Sequence, residues 1–322
     1  MNDNLNATTG NNGHNLPSQQ PLVNQIAREF LAEQRTSRRW GIFFKLLGAF
    51  CLFLILLVYV SQNEELNTLN TSRHSALVDI SGVIAADSQA SADNIISGLR
   101  AAYRNRNIAG IILRIDSPGG SPVQAGYVYD EIKRLRKIHP ETPLYAVIVD
   151  TCASGGYYIA VAADKIFADK ASLVGSIGVI MSGFGYVEAM DKLGIERRLL
   201  HAGDNKGFMD SFSPLSEQDR QHADALLDGI YQQFMGVVKE GRGDRLKDDA
   251  IIFSGLVWTG EQSLELGLVD ELGSAAYVAR EVIGAEEIVD YTYQENYLDR
   301  LARGIGTSVA EKMFVPALLS IH

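Results

Sequence analysis

The stretch from Leu144 to Ala163 constrains the fold more than any other. An apolar run, Leu144 to Val149, leads into Thr151-Cys152-Ala153-Ser154-Gly155-Gly156, and an Ala-rich apolar run from Tyr157 to Ala163 follows. That order predicts a buried strand, a tight turn and a helix. The turn sets a small hydroxyl at a helix N-terminus, where free N–H groups and the helix dipole favour developing negative charge. A serine nucleophile beside an oxyanion hole needs this arrangement. On the turn alone, an N-cap role for Ser154 fits equally well.

The chain around it alternates. Ala76 to Ile84 reads as a strand and Ala92 to Arg104 as a helix with Ile95, Ile96, Leu99 and Tyr103 near one face. Ala109 to Ile115 reads as a buried strand, Val123 to Ile138 as a helix with Val128, Ile132 and Leu135 inward, and Lys165 to Ala168 as a further strand. Strands alternating with helices predict an α/β domain with a parallel sheet. Sites in such sheets form at the carboxyl ends of strands. Two glycine pairs stand there: Asp116-Ser117-Pro118-Gly119-Gly120 and Ser154-Gly155-Gly156. Glycines let backbone N–H groups approach a ligand closely. An ordinary turn explains the first pair alone, whereas two such turns after neighbouring strands look like halves of one oxyanion hole.

A basic group must activate a serine. No G-x-S-x-G elbow surrounds Ser154, and no histidine stands in a recognisable triad context. His139 ends a helix before a proline, where a solvated cation is the simpler role. His201 is the best-placed histidine, in the loop that also carries Lys206. A lysine replaces histidine as base when burial lowers its pKa, and a solvated surface lysine is the bland alternative. Tyr157 and the apolar run Val179 to Phe184 read as candidate pocket walls, with core the preferred reading of the run. Arg242-Gly243-Asp244 reads as a chance match to an adhesion tripeptide.

The 322 residues carry a formal net charge of −10, which argues against nucleic acid as the main partner. The two cysteines, Cys51 and Cys152, sit in unrelated contexts, so neither a structural disulfide nor a zinc cluster is expected. From Ile42 to Val60 only Lys45 interrupts an apolar run. A helix of that length spans roughly 28 Å, about one hydrocarbon core. Arg28, Arg35, Arg38 and Arg39 precede it, and Glu64 and Glu65 follow. The positive-inside rule then places the N-terminus in the cytoplasm and the remainder across the membrane. Residues 1 to about 25 read as a disordered tail, Ile26 to Arg39 as a short amphipathic helix, and Met313 to Ile321 as an amphipathic or contact-making end.

Several ordered motifs together resemble the signal peptide peptidase A (protease IV) family. They are Asp116-Ser117-Pro118-Gly119-Gly120, Ala153-Ser154-Gly155-Gly156-Tyr157, Gly175-Ser176-Ile177-Gly178-Val179, the Lys206 loop ending in Ser213-Pro214, and the stretch Trp258 to Gly273. The resemblance covers about residues 75 to 275 and implies a Clp protease/crotonase-like α/β domain preceded by a single transmembrane helix. It implies Ser154 as nucleophile, Lys206 as general base, Ser176 as the serine orienting the lysine, and the Gly120 and Gly155 amides as oxyanion donors, with no cofactor and no metal. The residues after Lys206, Gly207 to Phe212, depart from relatives with a small polar or acidic residue there. The organisation expected is a cytoplasmic tail over 1–40, a membrane helix over 41–61, a tether over 62–74, a peptidase domain over 75–285 and a C-terminal tail over 286–322.

The activity so implied is a Ser/Lys serine endopeptidase of the inner membrane. Its catalytic domain lies on the periplasmic side and degrades remnant signal peptides and similar apolar peptides. The single-domain form implies a homo-oligomer with sites near subunit boundaries. A crotonase-type acyl-CoA enzyme and a non-catalytic membrane-tethered scaffold are the alternatives.

Overall fold

The computed structural model describes residues 40–54, 56–57 and 72–294. The chain divides into two units, residues 1–68 and 69–322. In the first, residues 40–54 form helix α1, with exposed apolar side chains such as Leu52 and Phe44. Among the described residues no helix is long and apolar enough to cross a membrane. Of the expected membrane helix over 41–61, residues 55 and 58–61 lie outside the described residues. The expected tail over 1–25, the amphipathic stretch to Arg39, the tether over 62–71 and the apolar end from Met313 also lie outside them.

The second unit is an α/β fold around an eight-stranded sheet. Its strands are β1 (His74–Ser81), β2 (Ile108–Ser117), β3 (Leu144–Ala153), β4 (Lys165–Ala168), β5 (Leu173–Gly175), β6 (Val257–Thr259), β7 (Glu271–Leu272) and β8 (Ile288–Asp290). The main order is β6-β5-β3-β2-β1-β8, with β4 and β7 branching from β3. Every pairing is parallel except β5 with β6. β8 falls within the stretch read as the C-terminal tail and pairs with β1.

Strand alternation sorts the core into two layers. Ala76, Val78, Ile80, Ile111, Leu113, Ile115, Ala146 and Ile148 pack toward helices α2 (Ala92–Arg104), α3 (Pro122–Ile138) and α4 (Gly155–Ala160). Leu77, Ile112, Val147 and Phe167 face the other way, onto Val278 and Ala279. Because both faces are covered, these strands read as continuous apolar runs. α2 presents Ile95, Leu99 and Tyr103 to the core, and α3 presents Val128, Ile132 and Leu135. Each fully buried Leu or Ile contributes about 1.5–3 kcal/mol relative to exposure. The Ser121 hydroxyl accepts from Gln124 N–H and caps α3, with Pro122 following it at the first turn.

β3 changes neighbours along its length. Tyr145 to Ile148 pair with β4, whereas Thr151 to Ala153 pair with β5. Its register with β2 shifts between Ile115 and Ser117. The strand therefore continues past Val149, where the apolar run ends, and delivers Ser154 to the tip of the sheet.

The remaining helices are α5 (Val187–Lys192), α6 (Glu217–Arg242), α7 (Gly260–Glu265) and α8 (Ala275–Tyr277), the last continuing into a π-helical turn, Val278–Ile283. Arg242, at the end of α6, is 2% exposed and grips Asp270 with two hydrogen bonds, 2.8 and 2.9 Å. Asp270 also accepts from Ile166 N–H at 2.7 Å. Of the Arg242-Gly243-Asp244 tripeptide, the arginine is thus buried in an internal clamp.

Candidate active site

Ser154 occupies the turn between β3 and α4 with φ 51° and ψ −120°. A residue with a Cβ rarely adopts this backbone. Two main-chain hydrogen bonds hold it there. Its N–H donates to Gly175 O at 2.8 Å, and its carbonyl accepts from Tyr158 N–H at 2.9 Å. The hydroxyl makes no capping hydrogen bond to α4, so the N-cap reading of its side chain does not describe this turn. With only six residues, α4 adds little dipole. What it offers is its unpaired first amides.

The Gly119–Gly120 turn at the end of β2 lies directly against Ser154. A Cβ on Gly119 would sit 2.7 Å from Ser154 Cβ and 2.8 Å from Gly155 N. A Cβ on Gly155 would sit 3.3 Å from Gly120 N. The two turns therefore meet backbone to backbone, an approach that a Cβ on Gly119 would block. Ile84 clasps the first turn from outside: its N–H donates to Gly119 O at 2.9 Å and its carbonyl accepts from Ser121 N–H at 2.8 Å. The Ser117 hydroxyl donates to Gly82 O at 2.6 Å and accepts from Gly119 N–H at 3.1 Å. Among the described residues, the amides of Gly119 and Ser121 are thus satisfied, whereas no hydrogen bond engages those of Gly120 and Gly155.

Ser176 follows the carbonyl that receives Ser154 N–H. It also has positive φ, 52°, and its N–H donates to Leu256 O at 2.7 Å. The structure accordingly gathers Ser154, Gly155, Gly120 and Ser176 at the tips of β2, β3 and β5. Lys206 is not part of this cluster. It is exposed in a turn closed by its own N–H to Gly203 O at 3.1 Å, and no hydrogen bond joins its amine to Ser154 or Ser176. His201, exposed beside it, has Nδ1 3.0 Å from Gly203 O. Both belong to a segment between β5 and α6 that largely packs on itself. Tyr186 N–H donates to Ser211 O, Tyr186 stacks on Phe212, and Arg197 lies over the Phe212 ring. The Asp210 carboxyl is held below its ordinary pKa by the Ser213 hydroxyl first and then by Arg197.

Two expectations need correction here. The run Val179 to Phe184 is not core, since Ile180 is 88% and Phe184 77% exposed. Tyr157 is no pocket wall, since it is fully buried with its hydroxyl on Leu268 O. Cys152 is buried as well, and burial pushes its thiol pKa up, so it is no rival nucleophile. Ser117, Ile84 and Gly119 were not singled out in the sequence individually. Their signal was a serine immediately before Pro-Gly-Gly at a strand end.

The model of Peptidase family S49 matches residues 136–288, a span that holds Ser154, Ser176 and Lys206 but not the Gly119–Gly120 turn. A protein of Synechocystis named "Putative protease slr0021" is 30% identical over 64% of this chain and 72% of its own length. A chloroplastic serine protease SPPA of Arabidopsis thaliana is 28% identical over 68% of this chain and 33% of its own. A Brucella melitensis protein named Na(+)/H(+) antiporter NhaA is 39% identical over 70% of this chain. The chain spans only 30% of the length of that Brucella relative.

Proposed function

Because the chain belongs to peptidase family S49, the signal peptide peptidase A family, we propose that it is a serine endopeptidase using Ser154 and Lys206 on a Clp protease/crotonase-like domain. The observation that carries this reading is the uncapped Ser154 hydroxyl, held at positive φ beside two amides without acceptors. In the reaction the neutral Lys206 amine takes the Ser154 proton, and the hydroxyl oxygen attacks a peptide carbonyl. The Gly120 and Gly155 N–H groups receive the oxyanion. The lysine then protonates the leaving amine, and water hydrolyses the acyl-serine. Ser176 orients the lysine amine.

Lys206 must reach Ser154 for this chemistry. The exposed apolar side chains of its segment, Ile180, Phe184, Leu193 and Leu200 among them, support closure of that segment against a peptide or a second copy of the chain. The enzyme is accordingly read as a homo-oligomer acting on extended apolar peptides such as remnant signal peptides. The basic flank before Ile42 and the apolar run to Val60 support a single-pass anchor in the inner membrane, with the catalytic domain outside the cytoplasm.

Covalent labelling of the detergent-solubilised chain by a fluorophosphonate probe tests the proposal. Labelling is expected in the wild type and lost in both Ser154→Ala and Lys206→Ala. Undiminished labelling of Ser154→Ala refutes the nucleophile. Undiminished labelling of Lys206→Ala refutes the base and turns attention to His201.

A further inference from the structure

Ser117 ends β2, is fully buried, and has no part in the reaction as written above. Its hydroxyl is nonetheless fully used. It donates to Gly82 O and accepts from Gly119 N–H. The second bond alone is an ordinary serine turn. The first reaches 35 residues back, to the loop that leaves β1. One buried hydroxyl therefore pins two loops together beside Ser154.

The main chain laces the same two loops. Gly82 N–H donates to Asp116 O at 2.9 Å, and Ile84 makes its two bonds to Gly119 O and Ser121 N–H. Ile84 and Gly120 thus form a parallel bridge. In an extended chain a residue's own N–H and C=O project from one edge, and the preceding carbonyl and following N–H from the other. Gly119 O and Ser121 N–H face Ile84, so the Gly120 N–H points away from Ile84. On that side a Cβ of Gly155 would stand 3.3 Å from Gly120 N.

What remains to be fixed is the other end of Gly119. No main-chain hydrogen bond engages its N–H among the described residues, and the Ser117 hydroxyl alone receives it. Gly119 has φ 99° and Gly120 φ 152°, a pair with wide backbone freedom. Without the hydroxyl, the N–H of the buried Gly119 has no acceptor, which is costly. The glycine pair then turns to satisfy it, and the Gly120 amide turns with it. An oxyanion donor works because it is aimed before the reaction begins.

We propose that Ser117 is a positioning residue for the acyl transfer: its hydroxyl, held between Gly82 and Gly119, sets the glycine pair so that the Gly120 N–H meets the oxyanion. The role rests on the reading of Ser154 as nucleophile. Ser117 itself touches neither substrate nor reacting atoms. The competing account is that a buried serine merely stabilises the fold. Ser75 supplies the comparison, because it too is fully buried and its hydroxyl donates to Ala285 O at 2.7 Å, at the other end of β1.

The kinetics of fluorophosphonate labelling of the full chain in neutral detergent separate the two accounts. Ser154 Oγ displaces fluoride from phosphorus, and the phosphoryl oxygen takes the place of the oxyanion. Deleting an oxyanion donor costs about 10²–10³-fold, so a misaimed one should slow the limiting rate of Ser117→Ala about 10–100-fold. The half-saturating probe concentration should stay at the wild-type value. The loss should be the same factor at every pH, because the base is untouched. Ser75→Ala should melt at a lower temperature and label at the wild-type rate. Ser117→Cys keeps a weak donor in the same place and should label at an intermediate rate; it carries the test if the alanine variant does not fold. The proposal is overturned if folded Ser117→Ala or Ser117→Cys labels as fast as the wild type, if Ser75→Ala is slowed as much as Ser117→Ala, or if the pH profile of Ser117→Ala changes shape. A wild type that does not label refutes the peptidase reading instead. Hydrogen exchange then decides the geometry: the Gly119 amide should exchange slowly in the wild type and faster in Ser117→Ala, and equal rates overturn the role of the hydroxyl.

Discussion

Ser154 is expected to destabilise the protein that depends on it. Its φ of 51° and ψ of −120° are those of the first central residue of a type II′ turn, a position that glycine fills. Holding a residue with a Cβ there costs about 1–3 kcal/mol. Ser154→Ala removes the hydroxyl but keeps the Cβ and the strain. Ser154→Gly removes both, and returns about 0.4–1 kcal/mol to the unfolded chain as added freedom. The glycine variant should therefore be more stable than the alanine variant by about 1 kcal/mol. For a folded body of this size that difference moves the melting midpoint by about 2–4 °C. Differential scanning calorimetry of the two variants in one buffer measures it, and neither should label with the fluorophosphonate. A glycine variant that melts at or below the alanine variant would refute the reasoning, because the turn would then hold no strain for glycine to release.

Three further outcomes follow from the geometry. Gly120→Ala places a Cβ 2.1 Å from Ile84 O. It should cost about 2–3 kcal/mol in urea unfolding and abolish labelling even though Ser154 is intact. Arg242→Met removes the buried bidentate partner of Asp270 and leaves it only the exposed Arg245, at 3.1 Å, and the Ile166 N–H, and should cost about 1.5–3 kcal/mol; a loss under 1 kcal/mol by the same assay would contradict the clamp. Glu131 is held down to about 2, by the Arg134 hydrogen bond above all, with Arg100 adding to it against the opposing effect of burial. Its folded pKa is depressed, so its contribution to stability is complete above its ordinary value, 4.5, and fades as pH falls toward about 2. Stability measured across that window should fall less steeply in Glu131→Gln than in the wild type, and parallel curves would argue against the pairing.

Much of the sheet was legible because its signals are local. The helix Ala92–Arg104 and the strand Lys165–Ala168 have the bounds that periodicity gives them. β3 outran its apolar run because Thr151 to Ala153 are held by β5, a pairing that no local pattern announces. The Ser154 turn could be read from small residues between two apolar runs. Its neighbour Ser117 could not, since a hydroxyl that braces a turn from inside looks like any serine before a proline. The place of Lys206 was beyond reach for a different reason. The segment from Ile177 to Ser216 has little periodicity, and its run Val179 to Phe184, expected inside, lies largely on the surface.

The hydrogen bond from Ser154 to Gly175, and that from Ser176 to Leu256, tie the serine turn to a part of the chain made much later. On the ribosome Ser154 emerges roughly a hundred residues before Leu256. Until β6 zips against β5, the carbonyl that holds Ser154 in its unfavourable backbone conformation is fixed only by the three-residue pairing of β5 with β3. The nascent chain should relax there into an ordinary turn, with the hydroxyl misaimed. Synthesis thus carries its own delay: the strands that hold the Ser154 turn are all in place only when the domain around it is nearly complete.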